Sequence, residues 1–162
     1  QPGPNGIWSP VNIDKTQSNV FAFDLKATKE VIQNLSLTVG VNYTHASSLK
    51  KNENFPGDPS YDKQVIYLPR ESSKTNLNIS YKDAGVNFYY RFIGKRYTDF
   101  ENTRFLPAVD LLDGNIFYNY SLWKLKLQAK LEVNNILDTD YQIMPGYPMP
   151  LRNFKLGLSI SY

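Results

Sequence analysis

The chain has 162 residues, with 18 Lys and Arg against 15 Asp and Glu, a formal net charge of +3 and no Cys. Its length suits one ordinary domain. Its small, scattered charge excludes a nucleic-acid footprint, and the lack of Cys excludes a disulfide framework or a thiolate metal site. With a mean hydropathy of −0.44 there is no apolar run long enough for a helical membrane span. A β-barrel stays open, because its alternating strands average to a polar-looking composition.

In chain order, Gln1 shows no signal peptide, so a leader has been removed or the gene product starts elsewhere. Trp8, Val11 and Ile13 make a further strand possible within Gln1–Ser18. Phe21, Phe23, Leu25 and Ala27 form the first clear apolar row, opposite Ala22, Asp24 and Lys26. A polar break is expected at Lys29–Asn34. Leu35, Leu37, Val39, Val41 and Tyr43 form the second row, opposite Ser36, Thr38, Gly40, Asn42 and Thr44. Thr75, Leu77, Ile79 and Tyr81 form the third. Lys82-Asp83-Ala84-Gly85 reads as a tight turn. Val86, Phe88, Tyr90 and Phe92 form the fourth row, opposite Asn87, Tyr89 and Arg91. Leu112, Gly114, Ile116, Tyr118 and Tyr120 form a weaker fifth. After a turn near Leu122–Lys124, Leu125, Leu127, Ala129, Leu131 and Val133 form the sixth, against Lys126, Gln128, Lys130, Glu132 and Asn134. Phe154, Leu156, Leu158, Ile160 and Tyr162 form the seventh, ending on an aromatic residue as the closing strand of a barrel would.

Alternation alone fits a soluble β-sandwich as well as a barrel. The connections break the tie. Lys29–Asn34, Lys82–Gly85 and Leu122–Lys124 are short, while Ala46–Pro69, Thr98–Val109 and Ile136–Leu151 are long. Strict alternation of short turns and long loops is the asymmetry of outer-membrane barrels. Twelve Tyr, nine Phe and two Trp also suit a membrane–water boundary. The fold class expected is therefore all-β, with antiparallel transmembrane barrel strands.

Several segments resemble the C-terminal part of TonB-dependent outer-membrane receptors. Glu132-Val-Asn-Asn-Ile-Leu-Asp-Thr-Asp-Tyr141 is similar to the family's Asn-Leu-Phe-Asp-x-x-Tyr segment. Gly146-Tyr-Pro-Met-Pro-Leu-Arg-Asn-Phe154 resembles its approach to the last strand, and Ile93-Gly-Lys-Arg-Tyr97 its Gly-x-Arg-Tyr strand end. Pro69 with Asn76-Leu-Asn-Ile-Ser-Tyr81, and Ala22-Phe-Asp-Leu25, match two further segments. Leu151 and Ala22 stand where the family often has Gly, and Tyr162 where a terminal Phe is commoner.

The resemblance implies about seven to eight C-terminal strands of a 22-stranded barrel, residues 1–162, with the plug domain absent from this chain. It implies an energy-coupled importer, not an enzyme, in the outer membrane of a Gram-negative bacterium. The nutrient would be bulky: an iron chelate, a corrinoid or a glycan. The implied partners are the remaining N-terminal barrel and plug, a TonB-type energy-coupling complex acting through that plug, outer-membrane lipid and the nutrient. A small independent barrel, serving as pore or adhesin, and a soluble sandwich module are the competing readings.

No catalytic constellation stands out, and no cofactor or metal is expected. His45 is the single His and sits at a strand-to-loop junction. Asp138 and Asp140 read as loop hydrogen-bonding residues beside Asn134 and Asn135. Asp58 and Asp62 are a weak cation candidate without EF-hand spacing, and Lys50-Lys51 a solvated pair. Tyr61, Tyr67, Phe100, Phe105, Tyr141 and Tyr147, on the long loops, are the ligand-binding candidates. Arg91, Lys126, Lys130 and Glu132 are expected to face the lumen, as salt-bridging residues or as guides for an anionic ligand. Phe154, Leu156, Leu158, Ile160 and Tyr162 are expected to form the assembly strand.

Overall fold

A computed structural model describes residues 15–162; the possible strand around Trp8, Val11 and Ile13 lies outside the described residues. The described chain contains only strands, turns and loops. In order they are β1 (Thr16–Ile32), β2 (Leu35–Lys50), β3 (Glu71–Tyr81), β4 (Ala84–Ile93), β5 (Arg96–Tyr97), β6 (Phe105–Leu106), β7 (Val109–Leu122), β8 (Leu125–Asn134), β9 (Gln142–Met144), β10 (Tyr147–Pro148) and β11 (Asn153–Ser161). Seven of these make one antiparallel meander in the order β1-β2-β3-β4-β7-β8-β11. The pairs β5–β6 and β9–β10 are small hairpins inside the second and third long loops.

Register explains why the rows matter. Ala27 faces Val39, Val39 faces Leu77, Leu77 faces Phe88, Phe88 faces Gly114, Gly114 faces Val133 and Val133 faces Phe154. The next row runs Leu37, Ile79, Val86, Ile116, Leu131 and Leu156. Every apolar row of the sequence therefore falls on one side of the sheet. That side has no second layer over it: Leu156, Leu158 and Ile160 are 77%, 76% and 71% exposed. A β-sandwich would cover this face with another sheet, and among the described residues none does so. Along β2 the apolar row from Leu35 to Tyr43 covers about 26 Å at 3.3 Å per residue. That is close to the outward apolar band of a membrane barrel.

The opposite face is polar and bonds across strands. Thr28 and Thr38 share a hydroxyl hydrogen bond of 3.0 Å. Asn78 donates to Asn87 (2.6 Å), which donates in turn to Asn115 (2.9 Å). Gln128 donates to Asn119 at 2.9 Å, and Arg91 pairs with Asp113 at 2.9 Å. Such a ladder supports register without needing a dry core.

The turns are tighter than the sequence suggested. β1 runs on through Lys29 to Ile32, with an irregularity between Glu30 and Ile32, so only Gln33-Asn34 turns. Ala84 and Gly85 belong to β4, leaving Lys82-Asp83, and the third turn is Trp123-Lys124. Each turn holds one residue in the left-handed region: Asn34 at φ 67°, Lys82 at 50° and Trp123 at 56°. Lys29 is the one charge on the apolar rows of β1, opposite Leu37; its long stem lets the ammonium reach the boundary.

The sheet is sheared. Val39 and Leu77, neighbours in one row, each lie five residues from their turns at Asn34 and Lys82. Gly114 of the same row lies nine residues from Trp123. The hairpin ends therefore shift by about one residue per strand on average, a stagger that tilts strands by roughly 35° when a sheet closes into a barrel. Among the described residues the sheet is open: β1 and β11 are its two edges and do not meet. The buried apolar side chains Leu106, Val109 and Leu111 sit where β6 and β7 meet the long loops.

Candidate functional site

All three long loops leave the same end of the sheet, opposite the turns. The strands reach further into them than the apolar rows do. β2 continues through Ala46-Ser-Ser-Leu-Lys50, where neither face is consistently apolar, and Leu49 bridges Gln64 on the returning chain.

Within the first loop, Lys50 is buried rather than solvated. Its ammonium reaches Asp58 at 3.0 Å and the Ser60 hydroxyl at 2.6 Å. Asp58 also accepts from the Asn54 and Ser60 backbone N–H groups (3.0 and 2.8 Å) and from the Ser60 hydroxyl (2.6 Å). Those donors, the Ser60 hydroxyl foremost, hold its carboxyl far below the usual carboxylate range. Asp62 is taken by Lys51. Both candidate cation ligands of this loop are thus occupied by lysines, and no metal-ligating cluster of three occurs among the described residues.

The loops also hold one another. The Gln64 N–H donates to the Asn102 side-chain oxygen at 2.8 Å, and the Asn102 amide donates back to the Gln64 carbonyl at 2.9 Å. Tyr67 N–H donates to the Tyr97 carbonyl at 2.8 Å. Arg96, 6% exposed, donates to the Gln142 carbonyl of the third loop at 3.2 Å, and burial lowers its guanidinium pKa. Gly94 permits this junction: its N–H donates to the Glu71 carbonyl at 2.8 Å, and a Cβ there would stand 2.6 Å from that oxygen. Arg96 belongs to the Gly-x-Arg-Tyr strand end of the sequence, but its acceptor, and the pairing of Gln64 with Asn102, have no local signal, because the partners lie in other loops.

The third loop starts from Asn135, buried and at φ 52°. Its N–H donates to Asp113 (2.8 Å), its amide to the Thr139 carbonyl (2.9 Å), and its side-chain oxygen accepts from Thr139 N–H (3.0 Å). Asp138 accepts from Arg152 N–H at 2.9 Å, as a loop hydrogen-bonding residue should. His45 lies inside β2, not at its end, 3.8 Å from Glu71.

The aromatic candidates do not converge. Tyr61 is exposed, with the Lys51 ammonium 5.9 Å from its ring centroid. Tyr67 and Phe100 are half-buried among the loops. Phe105 is exposed, and Lys95 lies between it and Tyr97, 5.1 and 4.8 Å from the two centroids. Tyr147 stands 63% exposed on the β9–β10 hairpin. Tyr141 instead lines a cleft on the polar face, of about 340 Å³, together with Arg91, Asp113, Asn134, Asn153 and Lys155. Of the residues expected in the lumen, Arg91, Lys126, Lys130 and Glu132 all occupy the polar face by register. Lys130 pairs with Glu132 on its own strand.

No family model matches the chain. It is 24% identical over 160 residues to the vitamin B12 transporter BtuB of Photobacterium profundum, covering 93% of this chain and 22% of that protein. Among solved structures, it is similar to BauA, the ferric preacinetobactin receptor of Acinetobacter baumannii, with a TM-score of 0.63 and 11% identity. That match covers 90% of this chain and 27% of that one. The siderophore receptor PiuA of the same organism gives a TM-score of 0.64 at 22% identity, over 88% of this chain and 22% of that one. The fold is that of the C-terminal part of a TonB-dependent receptor barrel. The chain spans about a quarter of the length of the proteins it matches, which are named a transporter and receptors and not enzymes.

Proposed function

We propose that residues 1–162 form the C-terminal wall of an outer-membrane receptor that imports a bulky nutrient by energy coupling, without catalysing a reaction. The observation that carries this is the uncovered apolar face, continuous over seven sheared strands, set against a hydrogen-bonded polar face. A water-facing apolar wall of this extent marks an interaction or membrane surface, and edges as long as β1 and β11, unpaired among the described residues, call for partner strands. The face fits outer-membrane lipid of a Gram-negative cell. The edges fit the remaining N-terminal strands of the same receptor. The polar face would line the lumen around a plug, through which a TonB-type complex would deliver energy.

The nutrient class is read from the loops. Exposed Tyr61, Phe105 and Tyr147 present flat rings to the outside, suited to the faces of an iron chelate or corrinoid or to a glycan ring. The test is to extract the polypeptide from membranes and compare its migration before and after heating, with intact masses of whatever comigrates. A heat-modifiable species that needs detergent supports the reading. A detergent-free monomer of the chain's own mass refutes it.

A further inference from the structure

The geometry points to an acidic-ligand subsite in the polar-face cleft below the third loop: Arg91 and Lys155 would clamp a carboxylate of a small solute beside the Tyr141 ring. The inference deepens the receptor reading by naming a ligand chemistry, and rests on it only for the purpose of the binding.

The cleft, about 340 Å³, has a β4 wall in Arg91, a β8 wall in Asn134, and a β11 wall in Asn153 and Lys155. Pro150 and Tyr141 close it from the loop side. Its charges do not cancel. Among the described residues Asp113 is the one acid lining it, and both its oxygens are committed, one to Arg91 (2.9 Å) and one to Asn135 N–H (2.8 Å). Asp113 therefore orients Arg91 instead of filling the site. Arg91 offers five N–H donors and uses one on Asp113, so a fork suited to two carboxylate oxygens stays available, with the side chain 44% exposed.

Lys155 has no ion partner among the described residues, because Glu132, opposite it in the register, is engaged by Lys130. Asn134 donates to Asn153 at 3.0 Å and Asn153 to the Leu151 carbonyl at 3.0 Å, which fixes both amides as neutral walls and leaves the cations to select charge.

The test uses the whole purified receptor in detergent at fixed ionic strength, with succinate as probe and uncharged succinamide as comparison, read by calorimetry or by ligand-observed NMR. Succinate is expected to bind with a Kd on the order of 1 mM and succinamide not to bind. Lys155→Gln and Arg91→Lys are each expected to weaken succinate by about three- to tenfold, the second because a fork is lost while the charge and the Asp113 pair remain. Lys26→Gln, on the same face but lining a different cleft, is expected to change nothing. Equal binding of succinamide, unchanged affinity in both Lys155→Gln and Arg91→Lys, or an equal loss in Lys26→Gln would overturn the subsite. Heat-modifiability of each variant reports the barrel separately, so loss of the barrel and loss of the subsite give different results.

Discussion

Replacing Leu158 by Arg separates a lipid-facing wall from a water-facing one by sign as well as size. Leu158 is the middle of the five apolar positions from Phe154 to Tyr162 on the last strand and its end. At 3.3 Å per residue it lies about 13 Å from either end of the row, near the centre of an apolar band about 25 Å tall. It is 76% exposed and faces Ala129, so almost no protein packing is lost on substitution. In water such a change stays within about 0.5 kcal/mol. In lipid an Arg at the midplane costs about 2–4 kcal/mol, a factor of roughly 30 to 700 in the folding equilibrium, falling to about 0–1 kcal/mol at the boundary. The expected order of destabilisation is therefore Leu158→Arg, then Leu156→Arg and Ile160→Arg, then Tyr162→Arg. Ser159→Arg, on the polar face opposite Gln128, is the control. The assay is reversible denaturant unfolding of the whole receptor into lipid vesicles, read by the heat-modifiable fraction. A flat series, or Ser159→Arg as damaging as Leu158→Arg, would refute the assignment of faces.

Asp58→Asn should expose the first long loop to protease about tenfold or more, because buried Lys50 loses its counter-charge. In the unaltered protein the depressed Asp58 carboxyl contributes its stability at all pH values above the ordinary value of 3.8. That contribution fades progressively as pH falls from 3.8 toward the much lower folded value, so loop protection measured by limited proteolysis should stay constant from neutrality to about pH 4 and decline below it. Gly94→Ala should cost about 1–3 kcal/mol, read as a lowered unfolding midpoint, since the new Cβ meets backbone that cannot move aside. Tyr61→Ala with Tyr147→Ala should weaken nutrient uptake in cells without reducing the heat-modifiable species; unchanged uptake would remove both rings from the binding surface.

The rows of the wall were legible because strand alternation acts locally: Leu35 to Tyr43 and Leu125 to Val133 announce their faces without reference to any neighbour. The ends were not. Ser47-Ser48 carries β2 beyond the apolar band, where the physical demand for alternation stops, and Lys29-Glu30 continues β1 on a sheet edge near the boundary. The loop interior was the least readable. Lys50 looked like one of two solvated lysines, yet its partners Asp58 and Ser60 lie eight and ten residues on, and only the folded turn brings them to it. Arg96 finds its acceptor in a loop 46 residues away, which no local pattern announces.

The bonds from Gln64 to Asn102 and from Arg96 to the Gln142 carbonyl bear on how such a receptor can be re-engineered. Loops on a barrel rim invite treatment as interchangeable modules, each swapped to change what is captured. Here a graft of the first loop without Asn102 strands Gln64, and a graft of the third that shifts the Gln142 carbonyl strands a buried guanidinium. The transferable unit is the set of three loops, carried over together with the upper ends of the strands that root them.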